Sequence, residues 1–169
     1  MNTTTIFSDK KSNSEKIKKQ YGILMKYKPV GLIILSDSNI ISELIEGLKT
    51  LQSGVIVYSK TLGEIKISEN VVVTSNIDEQ LLVGFDFVLC DDEIQNLGKY
   101  LEKGIVPIVT RKNHMSSLLR EFNPLKNEGN AFFYDETNVW NIFYSLIRYL
   151  ENYKFPFDNK NLVNNILKV

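Results

Sequence analysis

GFDFVLCDDEIQNLGKYLEKGIVPIVTR, residues Gly84–Arg111, decides the fold. Phe85–Cys90 and Ile105–Thr110 are apolar runs too short for helices and rich in Val, Ile and Phe, as buried strands are. Between them Glu93–Lys103 carries Ile94, Leu97, Tyr100 and Leu101 at helical spacing, and Gly104 stands just past the end, where a glycine closes a helix. Strand, helix and strand in that order form a βαβ unit, and its two strands lie parallel.

The flanking sequence repeats this alternation. Upstream, Met1–Asp9 is polar around a short Ile6-Phe7 pair, and residues 1–14 are expected to be a flexible N-terminal segment. Ser12 and Glu15 have capping-box spacing ahead of a stripe of Ile17, Tyr21, Leu24 and Met25, a helix ending near Tyr27. Pro29 stops it and introduces Val30–Leu35, an apolar run of strand length. Ser36–Asn39 supplies turn and N-cap residues for a helix carrying Ile40, Ile41, Leu44, Ile45, Leu48 and Leu51. Gly54 opens a strand at Val55–Tyr58, and Ser59–Asn70 is a polar connection with a short hairpin arm at Glu64–Ile67. Val71–Thr74 is a further strand, and Ile77–Val83 a short helix capped near Asn76 or Asp78. Downstream, His114–Phe122 reads as a helix stopped by Asn123-Pro124, and Gly129-Asn130 turns into the strand Ala131–Tyr134. Thr137 caps a helix whose broad face is Val139, Trp140, Ile142, Phe143, Leu146, Ile147 and Leu150. Asn159–Leu167 is a last short helix. Residues 15–169 therefore read as a single α/β domain, a doubly wound, Rossmann-like parallel sheet of five or six strands centred near Ile33, Ile56, Val72, Val88, Ile108 and Phe133.

Composition narrows the function classes. Lys plus Arg and Asp plus Glu number 20 each among 169 residues, so no bulk field draws the chain to nucleic acid. No apolar run reaches the roughly 20 residues of a membrane helix, and the N-terminus lacks a signal-peptide core. The single cysteine, Cys90, excludes an intrachain disulfide and suits a reducing compartment. A cytoplasmic protein is expected. His114, the one histidine, has no companion for a metal cluster or catalytic dyad. Cys90 in a strand is a core residue rather than a nucleophile. Asp91-Asp92-Glu93 could hold Mg²⁺, but acidic residues at a helix N-terminus explain them better. Arg111, Lys112 and His114 follow a strand end, where an anion could bind. Trp140, Phe143 and Tyr144 could stack on a sugar, though at helical spacing they read first as core.

The order of these pieces resembles the C-terminal, nucleotide-sugar-binding half of GT-B glycosyltransferases, most closely glycogen and starch synthases, from about Lys16 to the end. Tyr21-Gly22-Ile23-Leu24 is similar to the family's helix end before its first strand. Gly84–Cys90 resembles the run ahead of its acidic loop. Glu93-Ile94-Gln95-Asn96-Leu97 sits where the family has Glu-Pro-Cys-Gly-Leu. Gly104–Val109 resembles its Gly-x-x-Pro-x-Val strand, and Gly129–Phe133 its Gly-Asn-Gly-Phe-x-Phe. The resemblance implies a Rossmann-like domain that takes a nucleotide-sugar or a glucan.

The departures bear on chemistry. The family's Arg and Lys after the first strand, which neutralise the donor diphosphate, give way to Leu35-Ser36-Asp37-Ser38-Asn39. Its two glutamates are not kept as a pair: anchored on the acidic loop, Glu93 retains the first and Leu101 takes the second; anchored on Gly104, the positions are Asp91 and Lys99. Its paired glycines after the Pro-Val strand become Arg111-Lys112-Asn113-His114. Its acceptor-binding half has no counterpart in this sequence. The expectation is a glycosyltransferase-like domain with degenerate catalytic residues, no metal and no resident cofactor. It would bind a nucleotide-sugar or glucan weakly or act as an interaction subunit, associating with itself or a transferase-like chain; the alternative is the C-terminal subunit of a split transferase. Candidate ligand-binding residues at the C-terminal strand ends are Ser36, Asp37, Asp91, Glu93, Arg111 and Asn113. The apolar tail residues Phe155, Phe157, Leu162, Val163, Ile166 and Leu167 would form an interaction patch if exposed together.

Overall fold

The computed structural model describes residues 3–169. Seven strands form one sheet: β1 (Val30–Ile34), β2 (Gly54–Tyr58), β3 (Ile65–Lys66), β4 (Val71–Thr74), β5 (Phe87–Cys90), β6 (Val106–Thr110) and β7 (Phe132–Tyr134). Their spatial order is β3-β4-β2-β1-β5-β6-β7. All pair parallel except β3, which runs antiparallel to β4 at the edge, where the hairpin arm was expected. Five helices flank the sheet: α1 (Thr3–Tyr21), α2 (Ser38–Leu48), α3 (Gly98–Leu101), α4 (Val139–Tyr153) and α5 (Pro156–Ile166), and a 3₁₀ turn spans Glu79–Gly84. Every expected strand centre lies within a strand. The central strands are apolar without alternation because helices cover both faces, so either side of the pleat is core.

At five places the structure departs from the sequence reading. Residues from Thr3 onward, expected to be loose as far as residue 14, are the first turns of α1. Ile6 is fully buried, and the Lys10 ammonium reaches the Phe85 carbonyl at 2.6 Å. The helix also ends six residues early, at Tyr21 rather than Tyr27. There Gly22 takes φ 69° and the Ile23 N–H returns to the Lys18 carbonyl at 2.8 Å, the glycine closure that leaves Leu24 and Met25 outside the helix. The helix expected over Glu93–Lys103 is only the turn Gly98–Leu101, closed as anticipated by Gly104 at φ 62°. Its first half is held off by side chains, Asp91 accepting from the Glu93 N–H and Asn96 from the Lys99 N–H.

The fourth difference is His114–Phe122, a run of turns rather than a helix. Glu121 bridges Ala131 and Asn123 bridges Glu128, so the end of this segment joins the sheet edge. The fifth is on α4, capped by Asn138 instead of Thr137 and burying Ile142, Ser145, Leu146 and Tyr149. That stripe is rotated from the expected one. Trp140 is left 83% exposed, and the Ser145 hydroxyl donates to the Phe133 carbonyl at 2.6 Å. In the tail, Leu162, Val163 and Ile166 fold back into the core, whereas Phe155 and Phe157 stay exposed, so the expected patch shrinks to those two rings.

Docking of α1 buries Lys10 beside few counter-charges, and this gives the stability a pH signature. Burial lowers the Lys10 pKa from 10.5 to about 8, against the pull of Asp86. Glu15, Lys11, Lys18, Lys28, Tyr149 and Tyr153 are the other ionisable groups lining its surroundings. Between the two pKa values the unfolded chain holds a proton that the native protein has released, so stability rises with pH there. The gain from pH 8 to 9.5 should be about 2 kcal/mol. Chemical denaturation across that range should show a steeper rise for the wild type than for Lys10→Met, which shares the opposing effect of tyrosines that ionise more readily in the unfolded chain. Parallel curves would contradict the assignment.

Candidate functional site

In a doubly wound sheet the ligand crevice opens beyond the carboxyl ends of the strands, where strand order reverses. Here β1 lies between β2 and β5, so the reversal falls past Ile34 and Cys90. The chain leaves β1 through Leu35–Asp37 into α2. Asp37 caps that helix, accepting from the amides of Asn39 at 2.8 Å and Ile40 at 3.3 Å. A helix N-terminus there would favour a phosphate, but the chain supplies its own anion.

A second carboxylate spans the reversal. Asp91 is 3% exposed. Its Oδ2 accepts from the Ser36 N–H at 2.7 Å and the Ser36 hydroxyl at 2.6 Å, and its Oδ1 from the Glu93 N–H at 3.1 Å. Buried Asn113 supports this loop from β6, its Nδ2 donating to the Asp91 carbonyl at 3.2 Å while its Oδ1 accepts from the Met115 N–H at 2.9 Å. The Tyr134 hydroxyl donates to the Cys90 carbonyl at 2.7 Å from β7. Burial, with Asp91 adding to it, pushes the Cys90 thiol far up, so it is a core residue and not a nucleophile.

The structure thus brings Ser36, Asp91, Glu93 and Asn113 into one network, with Asp37 at its border. Arg111 stands apart. Its Nε donates to Asp135 at 2.7 Å, its guanidinium lies 4.8 Å from the centre of the Phe133 ring, and Glu121 is 3.9 Å away. Glu121 in turn pairs with Arg148. The strongest cation of the expected Arg111–His114 anion cluster is therefore committed to carboxylates. Among the described residues no group of three or more His, Cys, Asp or Glu could hold a metal ion, and Asp91-Asp92-Glu93 is not one.

Beside the reversal, at the carboxyl ends of β1, β2, β4 and β5, lies a cavity of about 640 Å³. Of the six expected residues only Glu93 lines it; Tyr58, Lys60, Asn96, Lys99 and Tyr100 contribute most of the remaining chemistry. Lys99 is held by Glu79 at 2.8 Å. Burial raises the Tyr100 phenol, which stays neutral and offers an aromatic wall. Tyr58 was findable in the sequence, since it ends a strand at the ligand-bearing edge; Tyr100 was read only as a helix core position. Trp140 and Tyr144 lie on the outer face of α4 and line neither the reversal nor this cavity.

No family model matches the chain, and no curated protein matches its sequence. Solved structures do. The catalytic domain of starch synthase IV from Arabidopsis thaliana, bound to ADP and acarbose, superposes over 100% of this chain with a TM-score of 0.75 at 14% identity. A spinosyn forosaminyltransferase matches 82% of the chain with a TM-score of 0.57 at 15% identity. The glycotransferase of kitacinnamycin matches 85% with a TM-score of 0.58 at 12% identity. The chain spans 40%, 39% and 40% of the lengths of these three proteins. Its Rossmann-like sheet with flanking helices has the fold of a GT-B glycosyltransferase domain.

Proposed function

We propose that this domain is a glycosyltransferase-like module that does not itself catalyse transfer. It takes a nucleotide or nucleotide-sugar weakly in the cavity bordered by Tyr58, Glu93 and Tyr100, or serves as an interaction subunit beside a transferase-like chain. The observation that carries the reading is the Asp91 carboxylate on the Ser36 amide and hydroxyl at the point of strand reversal. A leaving diphosphate needs donors or cations aimed at its growing charge. Here the donors are consumed by a carboxylate, Asp37 adds another, and neither segment 35–39 nor segment 91–97 contains Lys or Arg. Binding by the neighbouring cavity, which does contain Lys60 and Lys99, does not need those donors.

Each missing electrostatic donor can cost ~10²–10³ in rate. The isolated chain, incubated with ADP- or UDP-sugars and glucan primers, should therefore give no glycosyl transfer, while ADP or an ADP-sugar raises its melting temperature. Turnover proportional to protein concentration would overturn the non-catalytic reading; no thermal response to any nucleotide or sugar would leave the interaction role alone standing. A second reading, a transferase subunit completed by another chain, is favoured by the 40% span of the starch synthase domain. It predicts that activity appears on mixing with a partner carrying an acceptor site.

A further inference from the structure

At the edge of the sheet opposite the crevice, where β1 and β5 begin, α1, α4 and α5 enclose a second cavity of about 190 Å³. Its wall carries Lys10, Lys11, Lys18 and Lys28 against Asp86 and Glu15, four cations to two carboxylates. Lys10 and Lys18 are buried, at 5% and 2% exposure. Each has one hydrogen bond, to a carbonyl: Lys10 to Phe85 at 2.6 Å and Lys18 to Met25 at 3.3 Å. Neither is within ion-pair distance of a carboxylate among the described residues. Asp86 spends one oxygen on the Val30 N–H at 2.9 Å.

Two further residues of this wall carry buried polar atoms with no partner among the described residues. Tyr149 is fully buried and its hydroxyl has no hydrogen bond, although its ring is well packed, 5.1 Å from Phe87 and 5.8 Å from Phe132. The Asn159 Oδ1 is likewise buried and unpaired. Buried polar atoms are nearly always satisfied by protein, water or a bound ion. Water alone would serve the hydroxyl and the amide and leave the two buried ammonium groups, with Lys28 beside them, sharing the charge of Asp86.

We propose that this cavity binds a phosphate-type oxyanion, as inorganic phosphate or as the head of a phosphate monoester. The anion's oxygens accept from the lysine ammonium groups and the Tyr149 hydroxyl, while the O–H of hydrogen phosphate donates to Asn159 Oδ1. At about 30 Å³ per water the space equals roughly six waters, enough for the anion and a few of them. The site is built from α1, α4, α5 and the N-terminal strand ends, so it is independent of whatever occupies the crevice across the sheet.

Calorimetric titration of the full chain at pH 7 and fixed ionic strength tests this, with inorganic phosphate, glycerol phosphate and chloride as separate arms. Phosphate or glycerol phosphate should bind and chloride should not; tighter binding by the ester would assign the site to a monoester and by the free ion to inorganic phosphate. Tyr149→Phe should weaken binding about tenfold, the worth of one hydrogen bond to a charged acceptor, without lowering the melting temperature in phosphate-free buffer. Lys28→Met, at an exposed position that keeps the buried lysines in place, should also weaken it. Equal responses to phosphate and chloride, or unaltered binding in both variants, would overturn the proposal.

Discussion

Gly31→Ala should destabilise the protein by about 3 kcal/mol, at the upper end of ordinary overpacking, and lower its melting temperature by roughly 10 °C for a chain of this size. Gly31 pairs with Phe87 across the central β1–β5 ladder. The Phe87 ring lies over the glycine Cα, in the space a Cβ would occupy, so the substitution drives a methyl group into the ring. The ring has nowhere to go, being fully buried and backed by Tyr149 at 5.1 Å. The conflict is steric: Gly31 is not among the positive-φ glycines. Phe87→Leu alone should cost about 1–2 kcal/mol through the volume it removes. Because the smaller side chain clears the space over Gly31, the double variant should be more stable than the sum of the two losses implies, by at least ~1 kcal/mol. Urea denaturation of the four proteins measures this coupling. Strict additivity would show that the ring does not block the glycine.

That pair also shows what could be read from the sequence. Each central strand is a short apolar run complete in itself, so its existence, its centre and the parallel sheet were legible locally. The Gly31–Phe87 fit depends on register between residues far apart in the chain and was not. The same holds for α1: a buried Lys10 contradicts the local rule that lysine stays in water, and its partner is the Phe85 carbonyl, 75 residues away. Helices were expected and did not form where polar side chains compete for backbone amides. Asp91 and Asn96 do so before α3, and Asn113 accepts from the Met115 N–H in the segment expected to be helical.

The candidate site was legible as a location, because the carboxyl ends of β1 and β5 follow from the alternation alone. Its state was not. Ser36 and Asp91 could each be picked as ligand contacts, but that they satisfy one another across 55 residues is a tertiary fact. Arg111 read as a free cation because Asp135, its partner, lies 24 residues on at the end of another strand.

Asp91→Ala should then cost about 2–4 kcal/mol, since it leaves the Ser36 and Glu93 amides and the Ser36 hydroxyl without their acceptor, at roughly 1–3 kcal/mol for each buried donor. Asp91→Asn keeps one acceptor oxygen and turns an NH₂ toward the other donors, so it should lose about half as much. Ser36→Ala removes one hydroxyl and leaves the Ser36 N–H bonded, and about 1 kcal/mol is expected. This order, Ala worst, Asn intermediate, Ser36→Ala mildest, identifies Asp91 as the strut that closes the strand reversal. A ligand-binding role would have another signature: Asp91→Ala would change nucleotide affinity while costing little stability, because solvent would already be sharing the carboxylate. Denaturation curves and ADP titrations of the same three variants separate the two. Since Asp91 does not line the cavity where Tyr58, Glu93 and Tyr100 meet, stability should fall in the stated order with ADP affinity unchanged. A stable Asp91→Ala variant with altered nucleotide binding would place the ligand at the reversal itself and undo the non-catalytic reading built on it.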